Sequence, residues 1–250
     1  MPQDNAKKRK VRLDQLLLER GLVESRQRGQ ALIMAGSVLV GDTPQTKAGQ
    51  LVAEDAEIRI KGDNNPYVSR GGLKLEGALV HYGINPQGWV CLDVGASTGG
   101  FTDCLLQKGA AKVYALDVGT NQLAWKLRSD PRVVSWEQMH VNKLTPEHIG
   151  EKLDLIVSDV SFISLTLVIP YLVPFMQVGA RLLAMVKPQF EVGKGEVGKG
   201  GVVRDEAQQL EAVAKVENFL KERGFTPEVV CPALIQGPKG NQEYFLFVNR

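Results

Sequence analysis

Two patterns of hydrophobic and polar positions divide the chain of 250 residues. In residues 11–60, leucines recur at helical spacing in LDQLLLER, and Ser25 precedes a second helical stretch that Gly36 ends. Two alternating stretches follow, SVLVGD and AEIRI, which are typical of short strands around glycine-rich turns. The pattern predicts a small α+β unit of two helices and short strands that is complete by about Lys61.

From Trp89 onward, near-continuous apolar strands alternate with helical stretches. The predicted strands are WVCLDV, KVYALDV, LDLIVSDV and ARLLAMV, and the helical stretches include GFTDCLLQKG, NQLAWKLRSD, SLTLVIPYLVPFM and DEAQQLEAVAKVENFLKERG. Strands of this kind are typical of a mostly parallel sheet with helices on both faces, so the fold class is α/β. The last apolar stretch, NQEYFLFVNR, predicts an antiparallel strand beside PEVVCPAL.

The segment KGDNNPYVSRGG separates the two patterns. It is polar and contains proline and glycines, which indicates a linker. We therefore expect a first domain at 1–61 with a basic N-terminal tail, a linker at 62–73 and a second domain at 74–250.

Charge is unevenly distributed along the chain. The net charge is +2, yet residues 1–28 contain eight bases and four acids, so the remainder is slightly acidic. A basic end on a near-neutral body indicates either a surface for phosphates or a solvated tail. Three distant cysteines form no disulfide framework, and no apolar stretch resembles a secretory signal or a membrane span. We expect a cytoplasmic protein without a membrane partner.

The ends of the first two strands carry a candidate ligand site. Open α/β sheets bind ligands outside the carboxyl ends of their strands. The first strand runs into DVGASTGGF, in which Asp93 and three glycines surround a turn, and Asp117 follows the second strand. Glycines let the backbone approach a ligand, and an acid at this place accepts hydrogen bonds from ribose hydroxyls. The pair predicts a nucleotide-like cofactor, either nicotinamide or adenosylmethionine, although the turn departs from G-x-G-x-x-G.

The strands LDLIVSDV and ARLLAMV end in a carboxylate and an amine, Asp159 and Lys187. The shared edge of the sheet would direct both side chains into one crevice. The alternative is that Lys187 lies on the surface and that Asp159 caps a helix beginning near Ser164.

The first unit resembles the S4 RNA-binding module. The resemblance rests on RLDQLLLERGLVESRQRGQALIMAGSVLVGD, continued by GQLVAEDAEIRI, and covers nearly all of residues 11–60. It implies that Arg12, Arg26 and Arg28 contact folded RNA. The alternative is that these arginines only decorate the surfaces of the helices.

The second unit is similar to the FtsJ-type ribose 2′-O-methyltransferases, in its loop LDVGASTGGFTD. That family uses a Lys-Asp-Lys-Glu tetrad, and the matching positions are Lys74, Asp159, Lys187 and Glu243. The resemblance implies a Rossmann-like methyltransferase sheet with S-adenosyl-L-methionine as cofactor. The implied cofactor-binding residues are Asp93, Gly95, Ser97, Thr98, Gly99, Gly100, Phe101, Asp117 and Asp159.

The whole chain resembles the TlyA family, which is named for hemolysin. This resemblance implies 2′-O-methylation of a cytidine in ribosomal RNA within ribosomal subunits. The chain ends soon after its last strand, which resembles members that act on the large subunit alone, so we expect 23S rRNA, with 16S rRNA as the alternative. A nicotinamide oxidoreductase, an RNA-binding protein without activity and a hemolysin are the competing interpretations.

The chemistry of the implied reaction suits the tetrad. A ribose hydroxyl is poorly acidic and must lose its proton to attack a sulfonium, and this needs no metal. Desolvation, a second lysine and the sulfonium would favour a neutral Lys187 that acts as the base, whereas Asp159 or Glu243 would favour its ammonium form. Sequence leaves this balance open. Lys74 would hold the hydroxyl or stabilise negative charge on its oxygen.

We assign no ligand to two further features of the sequence. The segment GKGEVGKG imitates the spacing of a phosphate loop, but Gly200 stands where a hydroxyl would bind magnesium. It is either a basic loop near RNA or an ordinary turn. The three histidines are scattered, so we expect no metal site.

Overall fold

The computed structural model of the protein describes residues 10–23, 25–61, 65–193, 195–198, 200–237 and 240–250. The chain folds as two units, Met1–Val68 and Ser69–Arg250. The expected linker at 62–73 therefore overlaps the start of the second unit. The basic tail at 1–9 and the two lysines of GKGEVGKG lie outside the described residues.

The described part of the first unit contains two helices and five short strands. The helices are α1 (Leu13–Glu19) and α2 (Arg26–Met34). The strands are β1 (Lys10–Arg12), β2 (Val38–Val40), β3 (Thr43–Gln45), β4 (Leu51–Ala53) and β5 (Ile58–Ile60). Strand β1 pairs with β4, and β2 lies between β3 and β5, all antiparallel.

Local sequence explains both helices of this unit. The Ser25 side chain accepts a hydrogen bond from the backbone N–H of Arg28 at 3.2 Å, as expected of a helix N-cap. The apolar stripes of the helices meet the strands in one core, formed by Leu13, Leu16, Leu17, Val23, Ile33, Val38 and Val52. The prediction of two helices followed by strands is confirmed, while β1, β3 and β4 were not predicted.

The second unit is an α/β fold. Its strands are β6 (Val90–Val94), β7 (Lys112–Leu116), β8 (Val133–Trp136), β9 (Leu155–Ser158), β10 (Arg181–Val186), β11 (Thr226–Pro227), β12 (Cys231–Pro232) and β13 (Tyr244–Asn249). Its α-helices are α3 (Gly71–His81), α4 (Gly100–Gln107), α5 (Trp125–Arg128), α6 (Pro146–Ile149), α7 (Leu165–Leu172), α8 (Pro188–Glu191) and α9 (Glu206–Lys221). Two 3₁₀ turns cover Val141–Lys143 and Val173–Phe175.

The strands form one mixed sheet in the order β11-β13-β10-β9-β6-β7-β8, with β12 also paired to β13. The five strands from β10 to β8 run parallel, and β13 is antiparallel to β10, β11 and β12. The predicted α/β sheet and its antiparallel last strand are confirmed. This order brings the carboxyl ends of four parallel strands and the beginning of β13 to one edge.

Two of the predicted helices are shorter than their patterns. Only Trp125–Arg128 is α-helical in the stretch NQLAWKLRSD, and α7 ends at Leu172 before a 3₁₀ turn. Pro174 lies within the turn that follows α7, and a proline lacks the N–H that would continue an α-helix. Before α5, Asn121 has a φ of 52° and its N–H bonds to the Glu137 carboxylate, so this part of the stretch is not helical. Trp125, the first residue of α5, is exposed.

Candidate active site

The candidate site lies at the sheet edge where β6, β7, β9 and β10 end. Residues 95–99, here called the glycine loop, follow β6. The other three strands are followed by Asp117 after β7, Asp159 after β9 and Lys187 after β10. Glu243 precedes β13, which runs in the opposite direction. Because Val186 and Tyr244 are partners in the ladder of β10 and β13, Lys187 and Glu243 stand next to each other where that ladder ends.

The glycine loop between β6 and α4 packs against the end of β9. Gly95 has a φ of 85°, and a Cβ atom there would lie 2.9 Å from the backbone oxygen of Asp159. A side chain at this position would therefore be strained and would push the two strand ends apart. Ser97 also has a positive φ, 49°, and is exposed. The loop thus presents Ser97 and the half-buried Thr98 at the surface of the edge.

Gly100 has a different reason to be glycine. A Cβ atom on it would lie 2.9 Å from the backbone nitrogen of Gly72 in α3. Its absence lets the first turns of α3 and α4 pack together, and α3 carries Lys74. Phe101 is buried as well, with its ring 6.1 Å from that of Phe245 on β13. Both residues, predicted to bind a cofactor, lie in the packing beneath the loop.

Asp93 is a buried carboxylate below the same loop. Its Oδ2 accepts hydrogen bonds from the backbone N–H of Thr102 at 2.9 Å and from its hydroxyl at 2.7 Å. Its Oδ1 has no hydrogen-bond partner among the described residues. Burial raises the pKa of Asp93 to about 7, although the bonds from Thr102 oppose the shift and the charges of Asp159 and Asp117 add to it. Asp93 therefore fastens the first turn of α4 from inside the protein.

Asp117 joins two backbone segments at the edge. Its Oδ2 accepts a hydrogen bond from the N–H of Ser97 and its Oδ1 accepts one from the N–H of Gly119, each at 2.7 Å. The side chain is half-buried, and each carboxylate oxygen can accept a further bond. Asp117 thus combines a fixed orientation with free capacity to accept hydrogen bonds.

Lys187 forms an ion pair with Asp159. Its Nζ lies 2.7 Å from Asp159 Oδ1 and donates a hydrogen bond to Ser161 Oγ at 2.8 Å. The lysine side chain is 10% exposed, so water reaches it only in part. The alternative that Asp159 caps α7 is wrong, because Ser164 is the N-cap and accepts from the N–H of Thr166.

Lys74 forms the second ion pair, with Glu243. Its Nζ lies 2.5 Å from Glu243 Oε2, and both side chains are at least nine-tenths buried. The other carboxylate oxygen lies against Gly237, where a Cβ atom would approach it to 2.5 Å. The four residues of the predicted tetrad thus occur as two lysine–carboxylate pairs, with Lys187 and Glu243 adjacent across the ladder.

Sequence reasoning missed three residues around these pairs. Ser161 bonds to Lys187, and Glu191 is buried at the end of α8. Phe162 has a φ of 64° and is 90% exposed, with its ring 5.1 Å from that of Phe190. Phe162 and Glu191 lie within the motifs VSDVSFISL and MVKPQFEVG, but apolar periodicity by itself assigns neither of them to a site.

The predicted RNA-binding arginines lie in the first unit. Arg12 and Arg26 donate hydrogen bonds to the buried carboxylate of Asp14, while about half of each arginine side chain stays exposed. Arg28 is exposed and has no ion pair within the described part of the chain. Asp14 was not predicted and is the residue that organises this surface.

Two other features bear on competing interpretations. In the described ranges, no group of three or more His, Cys, Asp or Glu side chains could hold a metal ion. No helix among the described residues is long and apolar enough to cross a membrane.

Known families match both units. The model for the FtsJ-like methyltransferases matches residues 67–250, and the model for the S4 domain matches residues 11–58. The match over the second unit decides for a methyltransferase and against a nicotinamide oxidoreductase.

Individual relatives extend this match over nearly the whole chain. The 16S/23S rRNA (cytidine-2′-O)-methyltransferase TlyA of Mycobacterium tuberculosis is 47% identical over 241 residues, which are 96% of this chain and 90% of that protein. The 23S rRNA (cytidine-2′-O)-methyltransferase TlyA of Campylobacter jejuni is 38% identical over 182 residues, 72% of this chain and 70% of the relative. A solved structure named as a putative hemolysin from Streptococcus thermophilus is 40% identical, with a TM-score of 0.80 over 96% of this chain and 88% of that one. The chain therefore belongs to the TlyA family of methyltransferases, with an S4 domain ahead of an FtsJ-like methyltransferase domain.

Proposed function

We propose that the protein transfers a methyl group from S-adenosylmethionine to the ribose 2′-hydroxyl of a cytidine in ribosomal RNA. The observation that carries this proposal is the pair of lysine–carboxylate ion pairs at one sheet edge, beside the glycine loop. The two TlyA relatives are named as cytidine-2′-O-methyltransferases of ribosomal RNA, which supports cytidine as the target nucleotide.

The residues around the glycine loop fit S-adenosylmethionine. Asp117 keeps acceptor capacity for ribose hydroxyls, and Gly95, Ser97 and Thr98 form the accessible part of the loop. Asp93, Gly99, Gly100 and Phe101 are buried and would support the site by holding the loop and α4 in place. When bound, S-adenosylmethionine supplies an electrophilic methyl group on a sulfonium.

Lys187 is the proposed base. Its ammonium group, which is paired with Asp159, first loses a proton to solvent. The neutral Nζ then takes the proton of the 2′-hydroxyl, which leaves an oxygen able to attack the methyl group. Asp159 and Ser161 orient Nζ through the contacts at 2.7 and 2.8 Å. The proton then passes from Lys187 to solvent, which the partly exposed amine can reach.

Lys74 is the proposed holder of the hydroxyl oxygen. Its ammonium group would donate a hydrogen bond to that oxygen and stabilise the negative charge that develops on it. Glu243 fixes the lysine, because the pair is almost fully buried and therefore weakly screened by water. Asp93 holds the glycine loop against α4 and takes no part in the proton transfer.

The S4 domain would bring RNA to the enzyme. Arg12, Arg26 and Arg28 expose guanidinium groups, which pair with phosphates in bidentate geometry. Phosphate contacts fix the position of the protein on the RNA, whereas the sheet edge acts on a single ribose.

We propose 23S rRNA in the large subunit as the substrate, because both TlyA relatives are named as methyltransferases of 23S rRNA. The test is transfer of tritium from labelled S-adenosylmethionine to isolated large and small ribosomal subunits, with Lys187→Ala as the inactive control. We expect label in 23S rRNA at a cytidine where alkaline cleavage is blocked, since a 2′-O-methyl group removes the attacking hydroxyl. Equal labelling of small subunits would contradict the choice of 23S rRNA, and label on a base would contradict ribose methylation.

A further inference from the structure

Glu191 is a buried carboxylate that the proposed proton transfer does not use. It is the last residue of α8, the short helix that begins directly after Lys187. Its side chain is 1% exposed. A carboxylate at this depth costs free energy unless its oxygens are paired, so its partners indicate its role.

The partners of Glu191 lie at the beginning of α7. Its Oε1 accepts a hydrogen bond from the backbone N–H of Leu165 at 2.7 Å, and its Oε2 accepts one from the hydroxyl of Ser164 at 2.5 Å. Ser164 is the N-cap of α7 and Leu165 is its first residue. A carboxylate is stabilised at this end of a helix, because the first N–H groups point outward and carry partial positive charge.

A third contact comes from α9. The Nζ of Lys215 donates a hydrogen bond to the backbone oxygen of Glu191 at 2.6 Å and lies 3.6 Å from its Oε2. Half of the Lys215 side chain is exposed, so this lysine supports Glu191 from outside. The bonds to Ser164 and Leu165 are the ones that join α8 to α7.

The same two chain segments carry the reacting groups. Asp159 and Ser161 lie just before α7, and Lys187 lies just before α8. The segments are therefore joined twice, once at the site by Lys187 and once in the interior by Glu191. A shift of α7 relative to α8 would change the distance from Lys187 to both of its partners.

We propose that Glu191 is a positioning residue, which holds the beginning of α7 against α8 and thereby sets the geometry of Lys187 with Asp159 and Ser161. This inference rests on the proposed function, in which Lys187 accepts the proton. Stability alone does not explain a charge at this place, since an apolar side chain of similar volume often stabilises a protein interior as well as a buried ion pair does.

The first experiment compares variants of the full chain in methyl transfer to ribosomal subunits. We expect Glu191→Ala to lower kcat by about 10²-fold, the effect of a displacement on the order of 1 Å at a reacting group. The KM for RNA and the affinity for S-adenosylmethionine should stay unchanged. Glu191→Gln should recover most of the rate, because an amide can accept from Leu165 and donate to the oxygen of Ser164.

Lys215→Met is the matched control. It removes a contact of Glu191 but leaves the bonds between α8 and α7, so it should lower the melting temperature without lowering kcat. If kcat instead falls in parallel with melting temperature in every variant, including Lys215→Met, Glu191 has only a general structural role and the inference is overturned.

The second experiment adds Glu191→Ala to the Lys187→Ala variant. If Glu191 acts through Lys187, the second substitution should change the remaining rate by no more than about twofold, because the effects of coupled residues do not add. If Glu191→Ala lowers the rate of the Lys187→Ala variant as much as it lowers the rate of the wild type, the inference is contradicted. Near-normal activity of Lys187→Ala alone would overturn the proposed base and this inference together, whereas wild-type kcat in folded Glu191→Ala would overturn this inference only.

Should Glu191→Ala fail to fold, Ser164→Ala removes one of the same bonds from the other side. Loss of an N-cap is a small part of the stability of a domain, so the variant should still fold. We expect a smaller fall in kcat with unchanged cofactor affinity, and an unchanged kcat would overturn the inference.

Discussion

The S4 domain and the methyltransferase domain both pair basic side chains with carboxylates, but they differ in how deeply the basic partner is buried. In the S4 domain the carboxylate is hidden, because Asp14 is fully buried while Arg12 and Arg26 are about half exposed. In the methyltransferase domain the bases are hidden as well, since Lys74 and Lys187 are about nine-tenths buried.

This difference suits the proposed roles of the two regions, RNA binding by the S4 domain and methyl transfer at the sheet edge. The hydrogen bond from Arg12 holds the pKa of Asp14 well below its ordinary value, although burial opposes the shift. Asp14 therefore stays charged and orients the two arginines, and about half of each arginine side chain remains exposed. The lysines instead sit where little water screens them, which strengthens their interactions with a charge that develops during reaction.

Lys187→Ala gives the largest expected effect. We expect methyl transfer to fall by about 10²- to 10⁴-fold, the usual effect of losing a general base, with unchanged affinity for S-adenosylmethionine. Single-turnover assays on ribosomal subunits measure it, and Lys221→Ala, on the exposed end of α9, is the control. A near-normal rate would show that Lys187 is not the base, and Lys74 would become the candidate. The proposed difference in role between the two lysines would then be lost.

Asp117→Ala tests the cofactor side of the same edge. We expect the dissociation constant for S-adenosylmethionine to rise by about 10- to 100-fold, because hydrogen bonds to a charged group contribute roughly 1.5–3 kcal/mol each. Calorimetry measures the affinity, and Asp130→Ala is the control because this acid pairs with Arg132 away from the glycine loop. Unchanged affinity in a folded variant would remove Asp117 from the proposed cofactor site.

Replacing Arg12, Arg26 and Arg28 by alanine together tests the binding side of the comparison. We expect RNA binding to weaken. The slope of log affinity against log salt concentration should become shallower by about 2, because each lost phosphate contact removes roughly 0.7–0.9 from it. Binding of S-adenosylmethionine should not change. Filter binding across a salt series measures the slope, and Arg59→Ala is the control because Arg59 pairs with Asp42 on the same domain. If the triple variant and the wild type have equal salt slopes, the three arginines do not contact phosphates and other residues account for RNA binding.

Asp93→Asn gives the smallest expected effect, and it tests a buried aspartate whose pKa is shifted in the opposite direction from that of Asp14. The pKa of Asp93 is raised to about 7 when folded, so its contribution to stability is present at acidic pH and is lost as pH rises toward 7. Wild type should lose about 1.4 kcal/mol per pH unit from this group between roughly pH 5 and 7, and Asp93→Asn should not. Melting temperatures from pH 5 to 8 test this, and a constant difference between the two proteins would contradict it.

Much of the fold follows from short stretches of sequence. Near-continuous apolar strands identified the parallel sheet, and leucine spacing with Ser25 identified α1 and α2. These features depend on neighbours a few residues apart, which a pattern contains. The length of α7 was overestimated because apolar spacing continues past Pro174, which interrupts the backbone hydrogen bonds. The length of α5 was overestimated because Asn121 has a φ of 52° and the N–H groups of residues 121–123 bond to the Glu137 carboxylate, so this part of the stretch is not helical.

The candidate site likewise has features that the sequence predicted and features that it did not. By itself, the sequence determined which residues stand at strand ends, because the alternation of strands and helices places Asp117, Asp159 and Lys187 at one edge. Only the tertiary structure decided which charges meet and how deeply they lie. Lys74 and Glu243 are 169 positions apart in sequence, and the burial of Asp14 and Glu191 depends on how helices pack. Burial and ion pairing are properties of packed surfaces from distant segments, and no local pattern in the chain encodes them.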